Sequence, residues 1–317
     1  MKIAIIGAGL SGLSLAWHLM DKGPCAVTLF DAQGIAGGAS GIPAGLLHSY
    51  PGKEGKYSHL AKEGIEATRR LLAVAQKKSA LPLSEQTGIL RYPVTEEARA
   101  RFLKYAAKSD DVVLQDEHTF LIRLGMTIFC KRYLEALWLA LEEKGAKLIG
   151  EKIESLQQLN AFDQIVLAAG AGVFAFPETR PLHIEVLKGQ ALTCRLPQGY
   201  SLPVQSQIAR GYIAHVGEAG YCLLGSTYER GEKNPGPDWE KAKAELFPKA
   251  SLLYPQAHEL EVVDGFAAFR VMRIGHYCPI ALRLEKNLWV CTALGSRGLL
   301  YHGLLGELLA KAIFNIK

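Results

Sequence analysis

Short continuous apolar runs and helical stripes alternate at both ends of this 317-residue chain. Ile3–Ile6, Ala26–Phe30, Ala146–Ile149, Asp163–Ala168 and Leu288–Thr292 are apolar-rich runs bounded by turn residues, the pattern of strands buried on both faces. Between them apolar positions recur at helical spacing. Leu60–Lys78 carries Ala61, Ile65, Thr68, Leu72 and Ala75 on one stripe. Lys131–Lys144 carries Leu134, Leu137, Trp138 and Leu141 and stops at Gly145. Thr95–Lys104 opens with a Thr cap and two acids in its first turn. The segment after Gly298 is predicted helical, with Leu305, Leu308, Leu309, Ala312 and Ile313 as its buried stripe. From Pro181 to Phe269 the texture changes. Ile184–Lys188, Ala191–Arg195, Gly211–His215 and Tyr221–Gly225 are short runs separated by turns, the pattern of an antiparallel sheet. Asn234–Pro237 is a loop before a helix starting near Asp238.

The first unit also carries a chemical pattern. The strand Ile3–Ile6 runs into Gly7-Ala8-Gly9-Leu10-Ser11-Gly12, then a helix, then a second strand that ends at Asp31. This strand, glycine turn, helix, strand, acid order suits a dinucleotide. Gly7 permits the tight turn, Gly9 lets the backbone approach a pyrophosphate, and Gly12 lets the helix pack close to the strand. The helix N-terminus faces the phosphates, and Asp31 accepts from ribose hydroxyls. Gly37 to Leu47 is a loop of small and apolar residues, against which a flat ring can lie. A second glycine cluster, Ala169–Gly172, follows the strand ending at Ala168. The implied fold is α/β, a discontinuous Rossmann-like unit (1–80, 131–178 and 270–317) with an inserted, mostly antiparallel α+β unit (81–130 and 179–269).

Composition narrows the class. Hydrophobic residues make up 49% and charged residues 21%, as in ordinary globular proteins. There is no run of about 18 apolar residues to span a membrane, and the start lacks a secretory pattern. The six cysteines are scattered without a CxxC pair, so reduced thiols in a cytoplasm are expected rather than disulfides or a metal site. The net charge is +5. Residues 51–80 hold seven Lys/Arg and three acids, read either as a solvated helix face or as a face for a phosphate-bearing partner.

Taken together, these motifs resemble the D-amino-acid oxidase and glycine oxidase family of flavoproteins over nearly the whole chain. The matching pieces are GAGLSGLSLAWHL with Asp31, the GGASGIPAGLL loop, DQIVLAAGAG, LKGQAL, LLGST and ALGSRGLLYHGLLGELLA. Locally, Gly38–Gly41, the Gly45-to-Lys53 spacing, Gly225–Arg230 and Gly295–Leu299 are similar to the oxidase half of a bifunctional tRNA-uridine-modifying enzyme. The resemblance implies FAD as cofactor. Gly7, Gly9, Leu10, Ser11, Gly12 and Asp31 would hold its ADP half, and Ile153 the adenine. Ala169 and Gly170 would line the pyrophosphate. Ala39, Ser40, Gly45 and Leu46 would lie by the ribityl chain and isoalloxazine, and Gly298 and Leu299 by the flavin's pyrimidine side.

The implied reaction is oxidation of a CH–NH bond in an amino acid or N-substituted glycine. A hydride goes to flavin N5, the imine is hydrolysed, and oxygen or another acceptor reoxidises the flavin. A carboxylate substrate needs a cationic clamp, and Arg supplies a two-pronged one. Arg270 and Arg297 match the family's positions for it, with Arg273 in play because the spacing is off by one. Tyr212 would lie over the flavin, and Lys53 would reach flavin or substrate. His48 and Tyr50 share the Lys53 loop without a stronger claim, and His18, His59 and His302 read as packing or surface residues. Three other readings stay open: removal of a carboxymethyl group from a modified uridine in tRNA, a non-catalytic flavin-binding module, and an NAD-dependent dehydrogenase.

Overall fold

The computed structural model describes residues 1–315. In the first third of the chain the strands are β1 Lys2–Ile6, β2 Ala26–Phe30, β3 Gly45–Leu47, β4 Ser84–Glu85 and β5 Ile89–Arg91. There follow β6 Val112–Leu114, β7 Phe120–Ile122, β8 Met126–Ile128, β9 Lys147–Ile149, β10 Gln164–Leu167 and β11 Ile184–Arg195. The last are β12 Ser206–Ile208, β13 Tyr212–His215, β14 Tyr221–Gly225, β15 Glu261–Arg273, β16 Ile280–Glu285 and β17 Leu288–Thr292. The helices are α1 Leu10–Lys22, α2 Ala61–Gln76, α3 Glu96–Ala106, α4 Cys130–Glu143, α5 Trp239–Ala250 and α6 Gly298–Phe314. Two side-chain caps set helix starts. Thr95 Oγ1 accepts from the Ala98 N–H at 3.2 Å, and Asp238 Oδ1 from the Lys241 N–H at 3.1 Å.

One sheet has the order β16-β17-β10-β1-β2-β9, with β17 through β9 parallel and β16 antiparallel at the edge. Its central strands are buried on both faces, which explains their unbroken apolar runs. Helices α1, α2, α4 and α6 share the core on one face. The predicted stripe of α6 shifts there. Leu309 and Ile313 are buried, but Leu305 is only half-buried, and Leu308 and Ala312 are exposed. The buried face runs instead through Gly303 and Gly306. A Cβ on Gly303 would come within 2.9 Å of Ala67 backbone, and one on Gly306 within 2.3 Å of Ser14 Oγ. Close helix approach, not side-chain bulk, selected those positions.

The second sheet has the order β15-β11-β14-β13-β12-β5-β7-β6 and is antiparallel except for the parallel β12/β5 pair. The runs Ile184–Lys188 and Ala191–Arg195 are one strand, β11, because β15 pairs along its whole length and carries Gly189 through as extended chain. Helix α5 packs on the outer face over Leu192, Ile213 and Leu224. A small third sheet, β3-β8-β4, joins the Gly45–Leu47 segment to residues on either side of α3. The small-residue loop after Asp31 is therefore not wholly irregular: it holds a 3-10 turn, Ala39–Gly41, and then β3. No helix among the described residues is long and apolar enough to cross a membrane.

Candidate functional site

A cleft of about 1230 Å³ lies between the carboxyl ends of β1, β10 and β17 and the inner face of the eight-stranded sheet. That exceeds the roughly 300–1,000 Å³ of ordinary ligand pockets and leaves room for an extended cofactor plus a substrate. At one end β1 stops at Ile6, and Gly7 turns with φ +115°. A Cβ on Gly7 would stand 2.3 Å from the Ala168 carbonyl oxygen, so only glycine fits. Gly7, Gly9, Leu10 and Ser11 line the cleft. Gly12 does not. Its α-carbon faces back onto the turn, where a Cβ would collide with the Gly7 carbonyl oxygen. Its expected cofactor contact is thus corrected to the packing of α1 on β1.

The acid at the end of β2 is fixed by backbone. Asp31 Oδ2 accepts from the Ala8 N–H at 2.8 Å and Oδ1 from the Gln33 N–H at 2.9 Å. Each oxygen keeps further acceptor capacity, and Asp31 lines the cleft. Ser40 Oγ accepts from the Leu10 N–H at 3.1 Å, tying the small-residue loop to the start of α1. Buried Ile153 forms a facing wall, and Ala169 and Gly170 continue it at the end of β10. Free N–H groups at a helix start, an anchored acid and an apolar wall suit a pyrophosphate, a ribose and an adenine respectively.

In the middle, Ala39, Ser40, Gly45 and Leu46 face Gly298 and Leu299 at the start of α6. A Cβ on Gly45 would lie 2.6 Å from Leu299 Cδ1 and 3.1 Å from Cys130 Sγ. Burial pushes the Cys130 thiol up to about 12, so it stays protonated and is no nucleophile. Behind Leu299, His302 Nδ1 donates to the carbonyls of Gly298 (3.0 Å) and Leu299 (3.2 Å), and the Tyr133 hydroxyl donates to its Nε2 at 2.9 Å. Burial holds His302 down to about 4, so it is a neutral tie between α4 and α6, consistent with a packing role.

The far end is built by register. Phe266, Ala191, Gly225, Tyr212, Ile208 and Arg91 are direct partners across β15, β11, β14, β13, β12 and β5. Directly paired residues share a face, and this row faces the cleft. Two glycines in the sheet act as seats. Arg270 lies over Gly189, where a Cβ would meet its Nη2 at 1.7 Å. Tyr212 lies over Gly225, where a Cβ would meet its Cζ at 2.1 Å. Arg270 Nη2 donates to the Thr227 carbonyl at 2.7 Å, and its guanidinium stacks 4.4 Å above the Tyr228 ring. Burial pushes the Tyr212 phenol up, so it remains a donor.

Arg297 precedes α6, stacks 4.8 Å from the Tyr277 ring and donates to the Tyr277 carbonyl at 3.3 Å. Neither Arg270 nor Arg297 forms an ion pair among the described residues. Lys53 is exposed at the mouth. Arg273 does not line the cleft. It is exposed at the end of β15 and bridges His276, so the off-by-one alternative to Arg270 is corrected. Tyr50 packs instead on Tyr57, Phe102 and Tyr105. Arg91 and His48 are cleft residues to which sequence reasoning gave no role. The available signal for Arg91 was its place in the buried phase of Ile89-Leu90-Arg91, two residues from Ile89.

Curated relatives are tRNA 5-methylaminomethyl-2-thiouridine biosynthesis bifunctional proteins MnmC. That of Polaromonas sp. is 27% identical over 96% of this chain and 55% of its own. That of Maricaulis maris is 28% identical over 98% and 52%. The chain thus spans about half the length of the curated relatives it matches. Among solved structures, the fold is shared with glycine oxidase from Geobacillus kaustophilus (TM-score 0.81, 18% identity, 100% of this chain and 95% of that one). It is shared equally with iminodiacetate oxidase from Chelativorans sp. BNC1 (TM-score 0.81, 18% identity, 99% and 96%). The family model for FAD dependent oxidoreductases matches residues 2–312. The chain therefore belongs to the FAD-dependent oxidoreductase family.

Proposed function

We propose that this chain binds FAD along the cleft and oxidises the CH–NH bond of a small amine bearing a carboxylate, an amino acid or N-substituted glycine. The observation that carries the reading is Arg270. It is a half-buried guanidinium without a carboxylate partner, seated on Gly189 on the same sheet face as Tyr212. FAD, when bound, supplies the hydride acceptor at N5 of its ring system. The chain's own residues do the rest. Arg270 holds the carboxylate, and Arg297 closes the site from the α6 side. Tyr212 donates a hydrogen bond and, with Phe266, excludes water. Among the described residues no carboxylate lines this end beyond the exposed Glu54, so the chain offers no base there and hydride loss requires the amine to enter neutral. Loss of a hydride from the neutral amine then leaves an iminium, which water hydrolyses to a carbonyl and a protonated amine. The names of two structural neighbours, glycine oxidase and iminodiacetate oxidase, support the substrate class.

The experiment is anaerobic mixing of the purified protein with glycine, N-methylglycine, iminodiacetate, proline and D-amino acids while flavin absorbance is followed. Bleaching by one of them supports the proposal. A colourless protein would sink the FAD assignment, and a yellow one that no amine bleaches would leave the non-catalytic module.

A second reading, removal of a carboxymethyl group from a modified uridine in tRNA, is favoured by the names of the curated relatives. The cleft mouth supports it too, since Lys53, Lys56, Arg210 and Lys249 line it and Tyr228 and Tyr277 are exposed beside the two arginines. The same clamp would serve, because the group removed makes an N-substituted glycine. Turnover of tRNA should weaken steeply as salt rises, whereas turnover of a small zwitterion should not.

A further inference from the structure

Arg91 is 1% exposed, yet it forms no ion pair among the described residues. Its Nη2 donates to the carbonyls of Gly52 (2.8 Å) and Lys53 (3.0 Å), while its Nε is buried with no partner. The guanidinium lies 5.8 Å from the Phe102 ring and lines the cleft. Burial lowers Arg91 only to about 10, so the charge persists at neutral pH. A buried cation without a counter-ion is costly, and two carbonyl contacts satisfy only one of its nitrogens. Glu54, the cleft-lining carboxylate that follows the Gly52–Lys53 carbonyls in sequence, is exposed and already paired with Lys56 at 2.6 Å.

His48 is 7% exposed and lines the same end. Its Nδ1 accepts from the Tyr50 N–H at 3.2 Å, which leaves the ring proton on Nε2. Burial, reinforced by Arg91, holds it neutral, down to about 3. His48 is thus a donor beside an uncompensated cation. Register fixes the distance to the reacting centre. Arg91 is the direct partner of Ile208, which is the direct partner of Tyr212. Two strand spacings separate them, about 10 Å along one face.

We propose that Arg91 and His48 form an anion subsite at the far end of the cleft, which takes a second anionic group of an elongated substrate. The group is a carboxylate or a phosphate, both of which match a guanidinium fork. The inference rests on the proposed function only for where the reacting centre lies.

The test reads binding rather than turnover. The FAD-loaded protein is titrated with acetate against a chain-length series of α,ω-dicarboxylates long enough to span the strands between Arg270 and Arg91, and with uridine against uridine 5′-monophosphate, while the flavin's visible band is followed. In the unmodified protein the second charge should tighten binding by about tenfold to a hundredfold in at least one pair. A gain that sets in only with the longer dicarboxylates marks a dicarboxylate substrate, and a gain with the monophosphate marks a nucleotide. Arg91→Met should abolish the gain and leave the weaker member of the pair unchanged. Should Arg91→Met fail to fold, His48→Gln and Arg91→Lys should each reduce the gain severalfold. The proposal is overturned if neither pair shows a gain. It is equally overturned if the gain survives in these variants, or if both members of a pair weaken alike, as a loop clamp alone would produce. A flavin that no amine reduces would sink amine oxidation but leave this titration readable.

Discussion

Replacing Gly189 with alanine tests whether Arg270 is a substrate clamp. Gly189 lies in extended chain in β11, opposite Ala268 on β15, so alanine meets no backbone strain and gains about 0.5–1 kcal/mol over glycine. Its Cβ would stand 1.7 Å from Arg270 Nη2, 2.4 Å from Cζ and 2.7 Å from Nε. The collision is with the far end of a flexible side chain, which must leave its seat. Arg270 then gives up the Thr227 carbonyl at 2.7 Å and the Tyr228 ring at 4.4 Å. Those contacts are worth about 1.5–3 and about 0.5–1 kcal/mol, but water recaptures the freed guanidinium, so the melting temperature should move by a few degrees at most. Carboxylate binding has no such compensation. Loss of a charge-assisted contact of about 1.5–3 kcal/mol weakens it by about tenfold to 150-fold. Acetate titration of the flavin band and KM for the reducing amine measure this directly. Arg270→Met should cost the same, and the double variant no more than either. The reasoning fails if Gly189→Ala binds acetate within twofold of the unmodified protein, or if the two losses add.

Asp31→Asn removes one acceptor from the Ala8 and Gln33 N–H pair and should weaken FAD retention by about tenfold, read as flavin lost on gel filtration. His302 titrates at about 4 in the fold against 6.5 in the unfolded chain. The unfolded state therefore binds more protons between those values, and stability should rise with pH across that window, by up to about 3 kcal/mol. Urea unfolding at pH 4.5 and 7 checks it, and His302→Gln should reduce the slope while leaving the share due to His48. Tyr133→Phe leaves His302 Nε2 without its donor and should cost about 1–3 kcal/mol of stability with little change in acetate affinity.

The cofactor end was legible because its chemistry is local. Gly7, Gly9, the α1 start and Asp31 fall within one strand-helix-strand unit, so spacing along the chain is spacing in space. Gly12 was read both as a packing glycine and as a cofactor contact, and the packing role is the one its surroundings match, since packing and contact glycines alternate within the same turn. The last helix was misread for the opposite reason. Its buried face is set by where α1 and α2 cross it, and at those crossings glycine replaces the apolar residue that periodicity seeks. The substrate end was legible only in outline. Arg270, Tyr212 and Arg91 lie on three strands far apart in sequence, and only hydrogen-bonded register brings them to one face. Gly189 and Gly225 look like turn residues in sequence, yet each makes a hollow in a continuous sheet for one functional side chain.

That register bears on what the site can accept. Side chains alternate along a strand, so a one-residue slip of β5 against β12 would turn Arg91 to the outer face and bring Leu90 inward. The slip is opposed from both sides, since β7 pairs with β5 at Leu121↔Leu90, and Arg91 itself holds the Gly52–Lys53 carbonyls. The cation at the far end is therefore positioned by the sheet rather than by a mobile loop. Arg270 sits on the edge strand β15, five strands away from the interior strand β5, with Tyr212 between them. A small amino acid reaches Arg270 and Tyr212 and leaves Arg91 uncompensated. Five strand spacings, about 24 Å, separate the two strands, so only a substrate whose second anion lies far beyond its reacting carbon satisfies both cations at once. On that ground the energetically complete ligand of this cleft is the longer one.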